Sequence, residues 1–262
     1  MRYLMNPKII FFDIDGTLVD PATGLIPESA YTALKLLREN GIMICIATGR
    51  PIGSLPDLRD QEFDAMVTFN GSLCYTGEKT IYHCPIPYET VQKVIANAAS
   101  VGRPVSVAVR DRLVANGIEK DLADYYTKAG LVLTVAEDFE ETCHEDVYQI
   151  MIGFREPQQH IYLQGTQDLQ AAIAWHRAVD IVSAKGGKSN GIQAVLDYFG
   201  LEASQAMAFG DSYNDMEMFR LVGTGIAMGN GAQALKDLAS DVCGDVSEDG
   251  IYRYCLEKGL IK

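Results

Sequence analysis

Four short polar stretches each stand at the edge of an apolar run or at the start of a helical pattern: Asp13-Ile14-Asp15-Gly16-Thr17, Thr48-Gly49-Arg50, Lys188, and Gly210-Asp211-Ser212-Tyr213-Asn214-Asp215. Together they offer four carboxylates, a hydroxyl and an amine. Four carboxylates brought to one place repel one another and raise each other's pKa unless a cation lies among them. An oxygen-only donor set suits a hard ion, Mg²⁺, better than zinc. Held by few carboxylates, Mg²⁺ keeps several waters and completes its octahedron on a substrate phosphate, so the chemistry indicated is phosphoryl transfer.

For these residues to meet, the chain must bring them to one edge of a sheet. Lys8 to Phe12 is a short apolar run of strand type that ends in DIDGT. Pro27 and Glu28 open the helical pattern ESAYTALKLLRENG, with Ala30, Ala33, Leu34 and Leu37 on one face and Gly41 as its stop. The next apolar run, IMICIA, ends in TGR. Strand, helix and strand in this order read as a βαβ unit on a parallel sheet. The rhythm returns near the other end, with GIQAVLDYFG and NDMEMFRLV as helices and AMAFG and GIAMG as strands. In open parallel sheets ligands bind beyond the carboxyl ends of the strands, where the polar stretches fall. The fold class expected is α/β, a doubly wound parallel-sheet (Rossmann-like) core.

Between the two ends the pattern changes. PVSVAVRDRLVA reads as a hairpin turning at Arg110 and Asp111, and EKDLADYYTKAG as a helix. Residues 84–183 are expected to form an inserted α+β domain, with 1–83 and 184–262 making the core. The acidic run at 137–146 reads as a solvated face or loop.

Composition narrows the partners. The chain of 262 residues is 48% hydrophobic and 22% charged, an ordinary globular balance. Its net charge of −13 argues against a nucleic-acid backbone or an anionic membrane as partner. Residues 84–183 hold 8 basic and 14 acidic side chains and the remainder 14 and 21, so no basic domain hides in the average. No run approaches the roughly 20 apolar residues of a membrane span and no signal-peptide core is evident, which points to a cytoplasmic protein. The six cysteines contain no CxxC pair, and several lie inside apolar runs, so buried free thiols are expected.

DIDGT after a strand, ATGR after a second, a lone lysine and GDSYND after another strand resemble the four motifs of the haloacid dehalogenase superfamily. Only 35 positions separate Asp13 from Thr48, while 140 separate Thr48 from Lys188, so a large cap fits only the second gap. That placement, with Asn70-Gly71 after DAMVTF and the segment running from GTGIAMGNGA to IYRYCLE, is similar to the Cof-type phosphatases. The resemblance implies a Mg²⁺-dependent phosphatase for small organic phosphomonoesters, with sugar phosphates or phosphorylated cofactors as the substrate class. It implies Asp13 as the nucleophile that becomes an aspartyl-phosphate, and Asp15 as general acid and base whose backbone carbonyl also ligates the metal. By the same resemblance Asp211 would complete the protein ligands Asp13 and Asp15, and Asp215 would act behind them. The resemblance further implies that Thr48 hydrogen-bonds a transferring phosphoryl oxygen and that Lys188 neutralises charge on the phosphoryl group and on Asp13. Gly49, Arg50 and Asn214 are expected to contact substrate, Asn214 also helping Asp215 to orient water ligands and the lysine.

Other readings stand beside these. Arg50 either touches substrate or forms a rim salt bridge, and Lys185 competes with Lys188. Ser212 replaces the glycine common at its motif position while leaving both aspartates and the asparagine in place. Gly223-Thr224-Gly225 through Gly229 imitates a dinucleotide fingerprint with its third glycine displaced. The four histidines lack metal-ligand spacing, and Trp175-His176-Arg177 is either a structural cluster or a holder for a sugar or organic phosphate. A phosphosugar mutase and a non-catalytic phosphometabolite-binding protein are the alternative functions.

Overall fold

The computed structural model describes residues 7–77, 79–154, 159–175 and 177–262, with backbone alone at 159 and 172–175. Contacts divide the chain into two compact units. The first comprises residues 1–48, 56–82 and 188–262, and the second residues 49–55 and 83–187.

The first unit begins with β1 (Ile9–Phe12), α1 (Glu28–Glu39), β2 (Met43–Ala47), β3 (Ala65–Thr68), β4 (Leu73–Thr76) and β5 (Lys79–His83). All four residues of β1 have no solvent exposure. Strands of a parallel sheet are covered on both faces, which is why IIFF carries no polar alternation. Helix α1 buries Ala30, Tyr31, Ala33, Leu34 and Leu37 on one side. It ends on Gly41, at φ +76°, where the N–H of Gly41 bonds Arg38 O and that of Ile42 bonds Leu37 O. This paired C-terminal closure turns the chain directly into β2.

The chain then builds the second unit around a five-stranded sheet. Its strands are β6 (Val105–Ala108), β7 (Leu113–Ala115), β8 (Gln149–Gly153), β9 (Leu169–Trp175) and β10 (Ala178–Ser183), in the order β7-β6-β8-β10-β9. The pairs described are antiparallel, and β6 and β7 form the expected hairpin. Helix α2 (Tyr88–Ser100) covers one face through Val91, Val94 and Ala98, which join Val105, Val107, Ile150, Ile152, Val179 and Ile181 in one core. Helix α3 (Lys120–Lys128) packs against β8 and β10. The acidic run at 137–146 is not all solvated: Phe139, Thr142 and Cys143 are buried around the short helix α4 (Phe139–Thr142). A further short helix, α5 (Gln159–Tyr162), precedes β9.

Back in the first unit come α6 (Lys188–Phe199), β11 (Ala206–Gly210), α7 (Met216–Leu221), β12 (Thr224–Ala227), α8 (Gln233–Leu238), β13 (Asp241–Val242) and α9 (Gly250–Glu257). The sheet order is β13-β12-β11-β1-β2-β3-β4-β5. The strands from β13 to β3 pair in parallel, and β4 turns back antiparallel to β3. Side chains of α6, α7 and α8 pack on one face, against Ile9, Phe11, Cys45 and Ala208. On the other face Phe12 stacks on Phe209, which meets Tyr254 of α9. The core is thus the doubly wound α/β sheet expected. The strand GIA of the glycine-rich segment is β12, where Gly225 is required because a Cβ would strike the Phe219 ring, so packing accounts for this glycine of the dinucleotide imitation.

All six cysteines are buried free thiols. Burial pushes Cys143, Cys243 and Cys255 up to about 12. No helix among the described residues is long and apolar enough to cross a membrane.

Candidate active site

Strand β1 lies where the winding reverses, with β2 on one side and β11 on the other. Such a switch point leaves a crevice at the carboxyl edge. Phe12 pairs with Ile46 and with Phe209, so Asp13, Thr48 and Asp211 emerge from three neighbouring strands at one edge. The apolar runs therefore deliver the polar residues by register alone.

Lys188 is the first residue of α6, one turn earlier than the pattern GIQAVLDYFG indicates. Its side chain is 1% exposed, and Nζ donates to Asp13 Oδ1 and to Asp215 Oδ1, each at 2.6 Å. Lys185, the competing lysine, is exposed and belongs to the second unit. Asp215 is fully buried, and its Oδ2 accepts from the backbone N–H of Asp211 at 2.9 Å and of Ser212 at 3.0 Å. Both oxygens of Asp215 are thereby occupied, so it organises the loop and the lysine. Replacing the motif glycine by Ser212 leaves this closure intact.

Two carboxylates remain open. Asp211 Oδ1 is buried and accepts no hydrogen bond. Asp13 is 4% exposed, and only its Oδ1 is engaged among the described residues. Asp13, Asp211 and Asp215 each bring an oxygen within 4.8 Å of the others. Burial raises the Asp13 pKa well above the ordinary carboxylate value; Lys188 opposes the rise, and Asp215, Asp211 and Asp15 add to it. Burial and Asp215 push Asp211 up to about 7, again against Lys188. Burial disfavours the Lys188 charge, but Asp13 and Asp215 outweigh it and hold the ammonium above the free-lysine value. One ammonium among this many carboxylates leaves a buried deficit of positive charge. A hard cation bound by oxygen fits that deficit and the open Asp211 oxygen.

Asp15 is exposed on the turn after Asp13, where the N–H groups of Thr17, Leu18 and Val19 all donate to Ile14 O. Gly16 takes φ +84° in this turn, and a Cβ there would run into the Asp211 carboxylate. Thr48 is buried, with its N–H on Val67 O at 2.8 Å. Gly49 and Arg50 fall in the second unit, where Arg50 Nη1 donates to Ser54 O at 2.6 Å. Asn214 Nδ2 lies 3.5 Å from Asn70 Oδ1. Of the Trp175-His176-Arg177 cluster, His176 and the Trp175 side chain lie outside the described residues. Arg177 is held by Asp121 at 2.9 Å and Asp124 at 2.8 Å.

Asn230 was not visible as a site residue from motif reasoning. Its Nδ2 donates to Gly16 O at 2.7 Å and its Oδ1 accepts from Val246 N–H at 3.1 Å. The amide thus ties the loop after β12 to the turn that carries Asp13 and Asp15. The polar GNGA beyond the run GIAM was the available sign, since it too follows a strand of the parallel sheet.

A family model described as haloacid dehalogenase-like hydrolase matches residues 10–255. The chain is 30% identical to the putative phosphatase YkrA of Bacillus subtilis (strain 168), over 98% of this chain and 100% of that one. It is 29% identical to the 5-amino-6-(5-phospho-D-ribitylamino)uracil phosphatase YitU of the same organism, over 96% and 97%. A solved structure described as the HAD subclass IIB sugar phosphatase BT4131 superposes with a TM-score of 0.87 at 31% identity, covering 97% of this chain and 100% of that one. With the motif residues gathered at the edge of a sheet of this topology, the chain belongs to the haloacid dehalogenase-like hydrolases and is a phosphatase of the Cof type.

Proposed function

We propose that the chain is a Mg²⁺-dependent phosphomonoesterase that works through an aspartyl-phosphate on Asp13. The observation that carries this reading is the pairing of two open carboxylates, buried Asp13 and half-buried Asp211 with its buried Oδ1, with the buried Lys188 ammonium. Asp13, Asp211 and the backbone carbonyl of Asp15 would hold Mg²⁺, which when bound supplies charge neutralisation at the phosphoryl oxygens.

An Asp13 carboxylate oxygen attacks phosphorus and the bond from phosphorus to the ester oxygen breaks. The Asp15 carboxyl gives its proton to the departing alkoxide. As a carboxylate, Asp15 then takes a proton from water, whose oxygen attacks the phosphorus and releases Asp13 and inorganic phosphate. Lys188 fixes the Asp13 carboxylate and faces the charge that gathers on the phosphoryl group, and Thr48 donates to one of its oxygens. Asp215 keeps Lys188 and the 211–212 backbone in place.

The second unit is read as the cap that selects substrate, contributing Gly49 and Arg50, while Asn214 contributes from the core. The substrate class is a small soluble phosphomonoester of a sugar or phosphorylated cofactor, in keeping with the substrates named for the relatives. A cytoplasmic location and no nucleic-acid partner complete the reading. A turnover screen across phosphorylated metabolites tests it, with inorganic phosphate and isomer exchange followed together. Phosphate release is expected for several sugar phosphates; isomer exchange without release would make the protein a mutase.

A further inference from the structure

The turn after β3 is strained. Phe69, Asn70 and Gly71 hold φ of +51°, +50° and +90° in succession. Left-handed backbone costs a residue with a side chain roughly 1–2 kcal/mol, and Phe69, fully buried, is a poor candidate for it. Asparagine tolerates this region best after glycine. Glycine would still be easier at position 70, so the amide found there has a use beyond making the turn.

That turn meets three other pieces of the site, all within the first unit. The Asn70 N–H donates to Thr48 O at 3.0 Å. Asn70 Oδ1 faces Asn214 Nδ2 at 3.5 Å, on the loop that carries Asp211 and Asp215. A Cβ on Gly191 would stand 3.0 Å from Gly71 Cα and closer still to Val67 and Cys74, so the first turn of α6 rests on the same turn three residues past Lys188. Asn70 itself is 4% exposed.

We propose, resting on the phosphatase reading above, that Asn70 is a positioning residue. Its backbone sets the height of Thr48, and its amide holds Asn214, so that the second and fourth motifs keep one spacing about the phosphoryl group. The strained run is retained because it lets one residue reach both loops.

Asn70→Gly keeps the left-handed backbone and the bond to Thr48 and removes only the amide. Its melting temperature should equal or exceed that of the wild type, because glycine relieves the strain. Its kcat for p-nitrophenyl phosphate should fall about tenfold with KM changed less than about threefold, as a small misplacement of catalytic loops does. Asn214→Ala leaves the turn untouched, removes the same contact together with the substrate contact proposed for Asn214, and should lose at least as much. The double variant should be no worse than about twofold below Asn214→Ala, because the Asn70–Asn214 contact is already lost in that single variant. Wild-type kcat in either single variant, or losses that multiply in the double, would overturn the proposal. A wild-type chain inactive on every phosphomonoester overturns the phosphatase reading and this proposal with it, whereas an active wild type with an unimpaired Asn70→Gly overturns this proposal alone.

Discussion

Lys188 Nζ lies 2.6 Å from Asp13 Oδ1, a buried ion pair between residues 175 positions apart. The same ammonium reaches Asp215 at 2.6 Å, so one cation serves two carboxylates from the loops that follow β1 and β11. Removing one member of a buried charge cluster leaves the others uncompensated. Lys188→Met should therefore destabilise the protein by about 3–5 kcal/mol in metal-free buffer at pH 7.5, measured by urea unfolding. Asp13→Asn should cost much less, because Asp215 still holds the lysine. Equal effects of the two substitutions would mean the pair is not what stabilises this edge.

Metal should stabilise the folded chain through Asp211. Ligand at 100 times its Kd adds about 2.7 kcal/mol to a state that alone binds it. For a chain of this size that corresponds to roughly 5–10 °C in Tm on adding excess MgCl₂ after EDTA treatment. Asp211→Asn should abolish most of the shift while leaving the metal-free Tm equal or higher, since a buried repulsion is removed. An undiminished shift in that variant would place the ion elsewhere.

Gly16→Ala joins two penalties at one site. Its φ of +84° is strained for any side chain, at about 1–3 kcal/mol, and the new Cβ would push on the Asp211 carboxylate. Tm should fall and the Mg²⁺-induced shift should shrink together. A fall in Tm with the metal shift intact would show that the turn moves without disturbing Asp211.

In the second unit Asp121 is fully buried between Arg103, at 3.2 Å, and Arg177, at 2.9 Å. Asp121→Asn leaves two guanidinium groups facing a neutral amide and should destabilise the unit by about 3 kcal/mol. Limited proteolysis should then cut within residues 83–187 before it cuts the core. Cleavage unchanged in order and rate would mean the network contributes little.

Much of the site was legible because parallel strands are covered on both faces. Each apolar run therefore ends where its polar residues begin, and DIDGT, TGR and GDSYND stand out against IIFF, MICIA and AMAFG. Lys188 is favoured over Lys185 in the sequence by its distance to the following helix, and in the structure the helix begins at Lys188 itself. Asn70 and Asn230 were harder. Their side-chain amides meet Asn214 and Gly16 O, and tertiary pairings across such separations leave no local periodicity. The run at 137–146 misled for a different reason: its charge density hides Phe139 and Cys143, which turn inward between acidic neighbours. Gly49–Leu55 likewise continues the second motif in sequence yet makes its contacts with the second unit.

The nucleophile is the centre of the proposed chemistry, and one comparison addresses it directly: phosphate release from p-nitrophenyl phosphate by wild type and by Asp13→Asn, both in excess MgCl₂ and both shown folded by their melting curves. Asp13→Asn should lose at least about 10³-fold in kcat with Tm within a few degrees of the wild type, since no carboxylate oxygen remains at that position to attack phosphorus. Turnover by Asp13→Asn within a few fold of the wild type would contradict a nucleophilic Asp13.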